Sequence, residues 1–262
     1  MIIVLDKKEF TDAVTTVSRF SERRSATLPA LSGIALIANS EGISLRATNL
    51  ETAIQLMVAG SVSKEGGVAL PAQTLRDITS SFSGGGTCKL EHSGETVTIT
   101  SGQAKSTIKT LPFDDFPTLP TPEAKTTLTL PGVLLRSLVT TVGLCASPST
   151  VRPELASVLL CAEGGSLKAV ATDSFRLAEK KISIEKSVVP FSILIPAKNA
   201  LDVVQTIPDE DIELTIDEHL CAFSWKTGTL TTRLVALSYP DYGQIIPKSF
   251  SATARVLRKD FE

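Results

Sequence analysis

Pro29-Ala30-Leu31-Ser32-Gly33-Ile34-Ala35-Leu36 returns 124 residues later as Pro153-Glu154-Leu155-Ala156-Ser157-Val158-Leu159-Leu160, with alternating apolar residues following in both places. Self-similarity at a fixed interval marks a duplicated structural unit, so this pairing decides the fold. Outward from it, Ala47-Thr48-Asn49 matches Ala171-Thr172-Asp173, and Leu70-Pro71-Ala72 matches Ile195-Pro196-Ala197. Upstream, Phe10, Ala13, Val14 and Val17 stand at helical spacing and recur 125 residues on as Leu135, Leu138, Val139 and Val142. Asp6 with Glu9 three residues later opens the first helix like a capping box, and Pro131 stands at the first turn of the second. A further helix follows in each copy, its apolar face Leu75, Ile78 and Phe82 in one and Ala200, Val203 and Ile207 in the other. Near the end, Gly102 and Leu111 pair with Gly228 and Leu237, and Asp115-Phe116 with Asp241-Tyr242, at an interval of 126.

Each copy thus runs strand, helix, several strands, helix, three strands, with period-2 stretches such as Val97-Thr98-Ile99 and Phe223-Ser224-Trp225 between turn signals. The fold class is α+β by tandem duplication. The stretch Pro117-Thr118-Leu119-Pro120-Thr121-Pro122-Glu123-Ala124 is Pro-rich and aperiodic, a natural linker. The expected division is 1–122 for the first domain, 123–247 for the second, and 248–262 for a linker and the start of a third. That third start is Leu257-Arg258-Lys259-Asp260-Phe261, similar to Asp6-Lys7-Lys8-Glu9-Phe10 and 251 residues later, so the expectation is a fragment of a three-repeat protein.

Composition narrows the function classes. Two units of about 100–150 residues fit a chain of 262. Apolar residues at 42% and charged residues at 21% exclude a disordered chain. With 26 basic and 28 acidic residues the net charge is −2, so nucleic-acid contact requires local clustering of cations. Cys88, Cys145, Cys161 and Cys221 form no CxxC pair and have no histidine at zinc-finger spacing, so no metal is expected; the last three sit in apolar company, as reduced buried thiols do. No apolar run reaches membrane-spanning length and the N-terminus has no basic leader, which points to a cytoplasmic protein. No GxxxxGK[ST], GxSxG or HExxH occurs. Ser83-Gly84-Gly85-Gly86-Thr87 precedes a strand and is a turn, and Asp209-Glu210-Asp211 at the same repeat position is a solvated loop. A hydrolase built on Ser174 or His219 lacks a base and an orienting partner, so binding rather than catalysis is expected and no cofactor is implied.

Thr27-Leu28-Pro29-Ala30-Leu31, Ala171-Thr172-Asp173-Ser174-Phe175-Arg176-Leu177-Ala178 and Tyr239-Pro240-Asp241-Tyr242, set in tandem two-helix domains, resemble the bacterial DNA polymerase III beta sliding clamps over essentially the whole chain. The resemblance implies clamp-fold domains forming, in a full-length protein, a head-to-tail homodimeric ring that threads duplex DNA without reading sequence. It also implies partners: the catalytic subunit of DNA polymerase III, the clamp loader and other proteins carrying clamp-motif peptides. The alternative is a non-DNA structural scaffold of duplicated α+β domains.

Carried over residue by residue, the resemblance implies a peptide groove at Arg152, Leu155, Thr172, Ser174, Phe175, Arg176, Leu177, Pro240 and Ile245, with Ser174 and Phe175 standing where many relatives have Gly and another residue. A short peptide needs an apolar slot and a few polar groups to fix its direction, which these residue types supply. Packing of Leu155, Leu177 and Ile245 against a third domain is the competing reading. Arg24 matches a DNA-contact position of the family, and Lys198, Arg76 and Arg136 stand on or near polar helix faces suited to phosphates. Gln73 and Thr74 replace residues that are often basic. The ring seam of the family falls at the edge strand carrying Ser106 and Ile108 and the helix carrying Ile78, with Ser106 where relatives often have a larger apolar residue. A monomer or weak non-ring dimer is expected for the 262-residue chain.

Overall fold

In the computed structural model, which describes residues 1–22, 28–82, 84–185 and 188–261, both repeats follow the expected element order. The first contains β1 (Ile2–Asp6), α1 (Lys7–Val17), β2 (Gly33–Asn39), β3 (Gly42–Thr48), β4 (Thr52–Val58), β5 (Gly60–Lys64), β6 (Gly66–Pro71), α2 (Ala72–Ser80), β7 (Thr87–Ser93), β8 (Thr96–Ser101) and β9 (Ala104–Lys109). The second contains β10 (Thr126–Pro131), α3 (Gly132–Gly143), β11 (Ser157–Glu163), β12 (Ser166–Thr172), β13 (Leu177–Ser183), β14 (Phe191–Pro196), α4 (Ala197–Val204), β15 (Asp211–Ile216), β16 (Leu220–Trp225) and β17 (Gly228–Arg233). A single helical turn, α5 (Arg258–Phe261), stands where a third copy is expected to begin.

Asp6 caps α1, its carboxylate accepting the Glu9 amide at 3.0 Å. Pro71, Pro131 and Pro196 stand just before α2, α3 and α4 with extended backbone (ψ 117°, 133° and 128°), so each of these helices starts one residue after its proline. Gly132 follows Pro131 because a Cβ there would collide with the Pro208 carbonyl oxygen. The expected helix faces turn inward: Phe10, Val14 and Val17 of α1 and Leu135, Leu138 and Val142 of α3 are buried in a continuous apolar core. Each such side chain contributes about 1.5–3 kcal/mol by leaving water.

Three antiparallel sheets back the helices, and the middle one is shared. A five-stranded sheet (β5-β1-β7-β8-β9) belongs to the first repeat and a four-stranded sheet (β13-β12-β11-β14) to the second. The eight-stranded sheet, β10-β15-β16-β17-β4-β3-β2-β6, crosses from one repeat to the other where β17 pairs with β4. Leu230 lies opposite Ile54 there, both fully buried. The linker passes over the outer side of this junction, where Leu119, Pro120, Thr121 and Pro122 approach Gln55, Thr229 and Thr231.

The hairpin register corrects the expected correspondence at the end of each copy. Leu111 donates its amide to Ala69 at 2.8 Å, and the matching bond is Val235 to Leu194 at 2.9 Å, so Val235 rather than Leu237 is the counterpart of Leu111. Likewise Ala104 opposite Ser101 corresponds to Gly228 opposite Trp225, an interval of 124 rather than 126. Gly102 lies inside its turn at φ +59°, whereas Gly228 begins a strand; the two glycines serve different purposes. The thiols also depart from expectation: Cys88 and Cys221 are buried, while Cys145 and Cys161 are half-buried. Burial raises Cys88 to about 11 and Cys221 further still.

Candidate functional site

The Ala-Thr-Asp stretch forms a tight turn between β12 and β13 that the first repeat builds identically. Thr172 donates its hydroxyl to the Arg176 carbonyl at 2.7 Å and accepts the Ser174 amide at 3.1 Å; Thr48 does the same with Thr52 at 2.8 Å and Leu50 at 3.0 Å. Asp173 Oδ1 accepts the Phe175 and Arg176 amides, each at 3.0 Å, as Asn49 Oδ1 accepts those of Glu51 and Thr52 at 3.1 and 2.8 Å. The residue between them takes a left-handed backbone in both turns, Ser174 at φ 78° and Leu50 at φ 70°. The backbone amides, followed by the Arg176 guanidinium at 3.0 Å, hold the Asp173 carboxyl below its usual range. The motif is therefore first a turn-forming device.

Around that turn the second repeat gathers a small apolar cluster separate from the main core. Leu159, Val170 and Leu194 are buried beneath Leu177, Cys161, Val235, Tyr239 and Tyr242. Tyr239 and Tyr242 are the only tyrosines of the chain, and their rings meet edge to face at 6.4 Å. The Tyr242 hydroxyl donates to Glu179 at 2.6 Å, while the buried Tyr239 hydroxyl lies against the Thr172 backbone without completing a hydrogen bond. Burial raises Tyr239 to about 12. Beside the pair lies an open slot of about 690 Å³, lined among others by Leu159, Leu194, Leu237, Tyr239, Pro240 and Tyr242.

Of the expected groove residues, Leu177 enters this cluster, Thr172 lies beneath Tyr239, and Pro240 lines the slot. Leu155 is buried beyond the slot's lining; Arg152 is exposed and paired with Glu154 at 2.9 Å. Phe175 is 98% exposed and Ile245 67%. The sequence reading passed over Tyr239, Tyr242 and Glu179 as site residues; confinement of both tyrosines to one four-residue stretch was the available signal.

A second surface lies where the helices of the two repeats meet. An open concavity of about 1210 Å³ is lined by Arg19, Glu22, Glu51, Gln73, Arg76, Lys198 and Asp202, among others. Arg19 crosses the junction to Asp202 at 3.5 Å and to Gln205 at 3.0 Å. Arg76 and Lys198 are exposed and, among the described residues, have no ion-pair or hydrogen-bond partner. Arg136 departs from expectation: its guanidinium donates to the carbonyls of Val204 at 2.9 Å and Ile207 at 2.6 Å and pairs with Asp209, which ties α3 to the end of α4. Arg24 lies outside the described residues. Of the expected seam residues, Ile108 is buried in the core, while Ser106 and Ile78 are half-buried beside it.

Two copies of one α+β unit, joined through a shared sheet and with three basic and three acidic side chains lining the concavity where their helices meet, define a clamp-type protein. The model of the DNA polymerase III beta subunit N-terminal domain matches residues 1–120, and that of its central domain matches residues 129–241. The chain belongs to the DNA polymerase III beta subunit family, the bacterial sliding clamps, and carries two of its three domains. Among relatives, the beta sliding clamp of Pseudomonas aeruginosa is 26% identical over 95% of this chain and 68% of its own length, and that of Synechococcus elongatus 28% identical over 99% and 71%. The crystal structure of the Bacillus subtilis sliding clamp superposes with a TM-score of 0.89 at 25% identity, covering 95% of this chain and 68% of that one. A Pseudomonas aeruginosa sliding clamp bound to griselimycin gives 0.91 at 25% identity, covering 96% and 69%. This chain therefore spans about two thirds of these relatives' length. Membership places it among the DNA-binding processivity factors of replication. Among the described residues, no cluster of three or more His, Cys, Asp or Glu suits a metal, and no helix is long and apolar enough to cross a membrane.

Proposed function

We propose that this chain acts without catalysis, in the cytoplasm, as the DNA-facing and partner-holding part of a sliding clamp. Duplex DNA lies along the helix side, held through phosphates and without base reading, as a sliding contact requires. The observation that carries this reading is the concavity at the domain junction, where Arg76 and Lys198 face solvent with no ion-pair or hydrogen-bond partner among the described residues. Glu22, Glu51 and Asp202 line the same concavity, which keeps the contact weak enough to exchange. Fluorescence anisotropy of a labelled duplex tests it: binding weakens with added salt, and the pair Arg76→Glu and Lys198→Glu lowers both the affinity and the salt slope. Salt-independent failure to bind any duplex favours the structural scaffold instead.

The second repeat's outer face takes the clamp-motif peptides of the polymerase catalytic subunit, the clamp loader and other partners. The slot beside Leu177, Tyr239 and Tyr242 supplies apolar anchorage, and Arg152 and Arg176, exposed and each paired with a neighbouring carboxylate (Glu154 and Asp173), are the cations assigned to a peptide's polar ends. Titration with a Gln-Leu-x-Leu-Phe pentapeptide shifts the NMR signals of Leu155, Thr172 and Leu177; unchanged signals at all three overturn the assignment. In a chain with a third domain, the family's head-to-tail homodimeric ring closes around the duplex at the edge bearing Ser106 and Ile108.

A further inference from the structure

The slot beside Tyr239 and Tyr242 has a filled counterpart in the first repeat. Strand pairing sets Gly67 opposite Ile37 and Ser192 opposite Cys161, so Gly67 and Ser192 correspond. The amide bonds from Leu111 to Ala69 and from Val235 to Leu194 align the segments that follow, which makes Phe113 the counterpart of Leu237. In the first repeat the Phe113 ring lies directly on Gly67, so close that a Cβ there would run into it. In the second repeat Ser192 lines the open slot instead and Leu237 is 54% exposed, so the place of that ring is accessible from solvent.

The lining also carries charge of one sign. Asp217, Glu218 and Asp241 contribute to it, and among the described residues no Lys, Arg or His does. Asp217 is taken up by the backbone amides of Glu123, His219 and Leu220 at 3.0, 2.7 and 2.7 Å. Glu218 pairs with Lys125 at 2.7 Å, with 70% and 56% of the two side chains exposed, and His219 stands beside it. Asp241 accepts the Gln244 side-chain amide at 2.7 Å and, among the described residues, forms no ion pair. Arg152 and Arg176 lie outside the lining and are matched by Glu154 and Asp173.

We propose that the slot selects partner peptides in which basic residues flank an aromatic anchor, the ring taking the place that Phe113 fills in the first repeat and the cations meeting Asp241 and Glu218. This rests on the reading of the second repeat's outer face as a peptide-binding surface and adds to it the chemistry of the peptide. About 690 Å³ holds a ring together with the methylene stem of a Lys or Arg, whose charged head stays at the wet rim. Rim carboxylates act chiefly on specificity, attracting a basic flank and rejecting an acidic one.

Fluorescence anisotropy of the 262-residue chain with three labelled peptides tests the selection. The first is Gln-Leu-Ser-Leu-Phe extended by Lys-Lys, the second carries Glu-Glu there, and the third is the Lys-Lys peptide with Ala in place of Phe. At low salt the Lys-Lys peptide binds about tenfold or more tighter than the Glu-Glu peptide, the difference shrinks as salt is added, and the Ala peptide loses most of the affinity. Asp241→Asn with Glu218→Gln removes the preference. Glu41→Gln with Glu65→Gln, exposed on the first repeat, keeps it, which separates the slot from the chain's net charge of −2. Ser192→Trp fills the slot from an exposed strand position and weakens binding of the Lys-Lys peptide. Equal affinity for the Lys-Lys and Glu-Glu peptides, a preference that Asp241→Asn with Glu218→Gln leaves intact, or full affinity in Ser192→Trp overturns the proposal while the peptide-binding reading stands. Failure of all three peptides to bind overturns that reading and the proposal with it.

Discussion

The junction at β17 and the open edge at β9 are the same hairpin in two settings. At the junction Leu230 is fully buried against Ile54 and Val203 of α4 is covered; at the open edge their counterparts Ser106 and Ile78 are half-buried. The repeat fixes where an edge lies, and one side chain per rung decides how strongly that edge holds a neighbour. A serine at an exposed edge also weakens an unpaired strand as a template for indiscriminate pairing.

The largest expected effect follows from that difference. Leu230→Ala removes a buried side chain from the junction and lowers stability in urea unfolding by about 2.7–5 kcal/mol, whereas Ser106→Ala changes it by less than about 0.5 kcal/mol. Equal losses at the two sites would mean that the junction is not where the repeats are held. The cations give a second contrast. Arg136→Ala leaves buried carbonyls unpaired and costs about 1–3 kcal/mol without altering the salt dependence of duplex binding. Arg76→Ala leaves stability unchanged and reduces the salt slope by about 1.

The paired turns sharpen the comparison at smaller scale. Ser174→Gly and Leu50→Gly relieve the same left-handed strain and each stabilise by about 1 kcal/mol; a loss at either position would show that its side chain contributes more than its backbone costs. Acid distinguishes the turns, because Asp173 titrates and Asn49 does not. Asp173 has a folded-state pKa depressed first by the Arg176 and Phe175 amides, so its contribution is full above the unfolded value near about 3.9 and is lost as pH falls through the lower folded value. The Phe175 and Arg176 amide signals accordingly titrate with a midpoint below about 3.9, while those of Glu51 and Thr52 show no such step. A midpoint above that value would contradict the hydrogen-bond account.

The duplication, both helix faces and the linker were legible because they rest on local spacing: Phe10, Val14 and Val17 need only a period of 3.6 to announce a buried face. The pairing of β17 with β4 was not, since nothing in Thr52 to Val58 names a strand whose Leu230 stands opposite Ile54 from far along the chain. Arg136 looked available for phosphate because its helix position is polar, but its partners are carbonyls at the end of α4, which sequence does not mark. Gly102 and Gly228 misaligned the hairpins because a shared residue type masked two backbone requirements. For the candidate groove, Thr172 and Asp173 were conspicuous by pattern, yet their hydrogen bonds within the turn emerge only from geometry, as does the closing of Tyr242 onto Glu179.

The central claim is that duplex DNA meets the helix side of the domain junction rather than the sheets. Site-specific photocross-linking tests it most directly, with p-benzoylphenylalanine placed in turn at Arg76, at Lys198 and at Lys89 on the solvent face of the five-stranded sheet. At low salt, positions 76 and 198 are expected to cross-link to duplex and position 89 is not. Cross-linking from position 89 that equals or exceeds that from 76 and 198 would contradict the account.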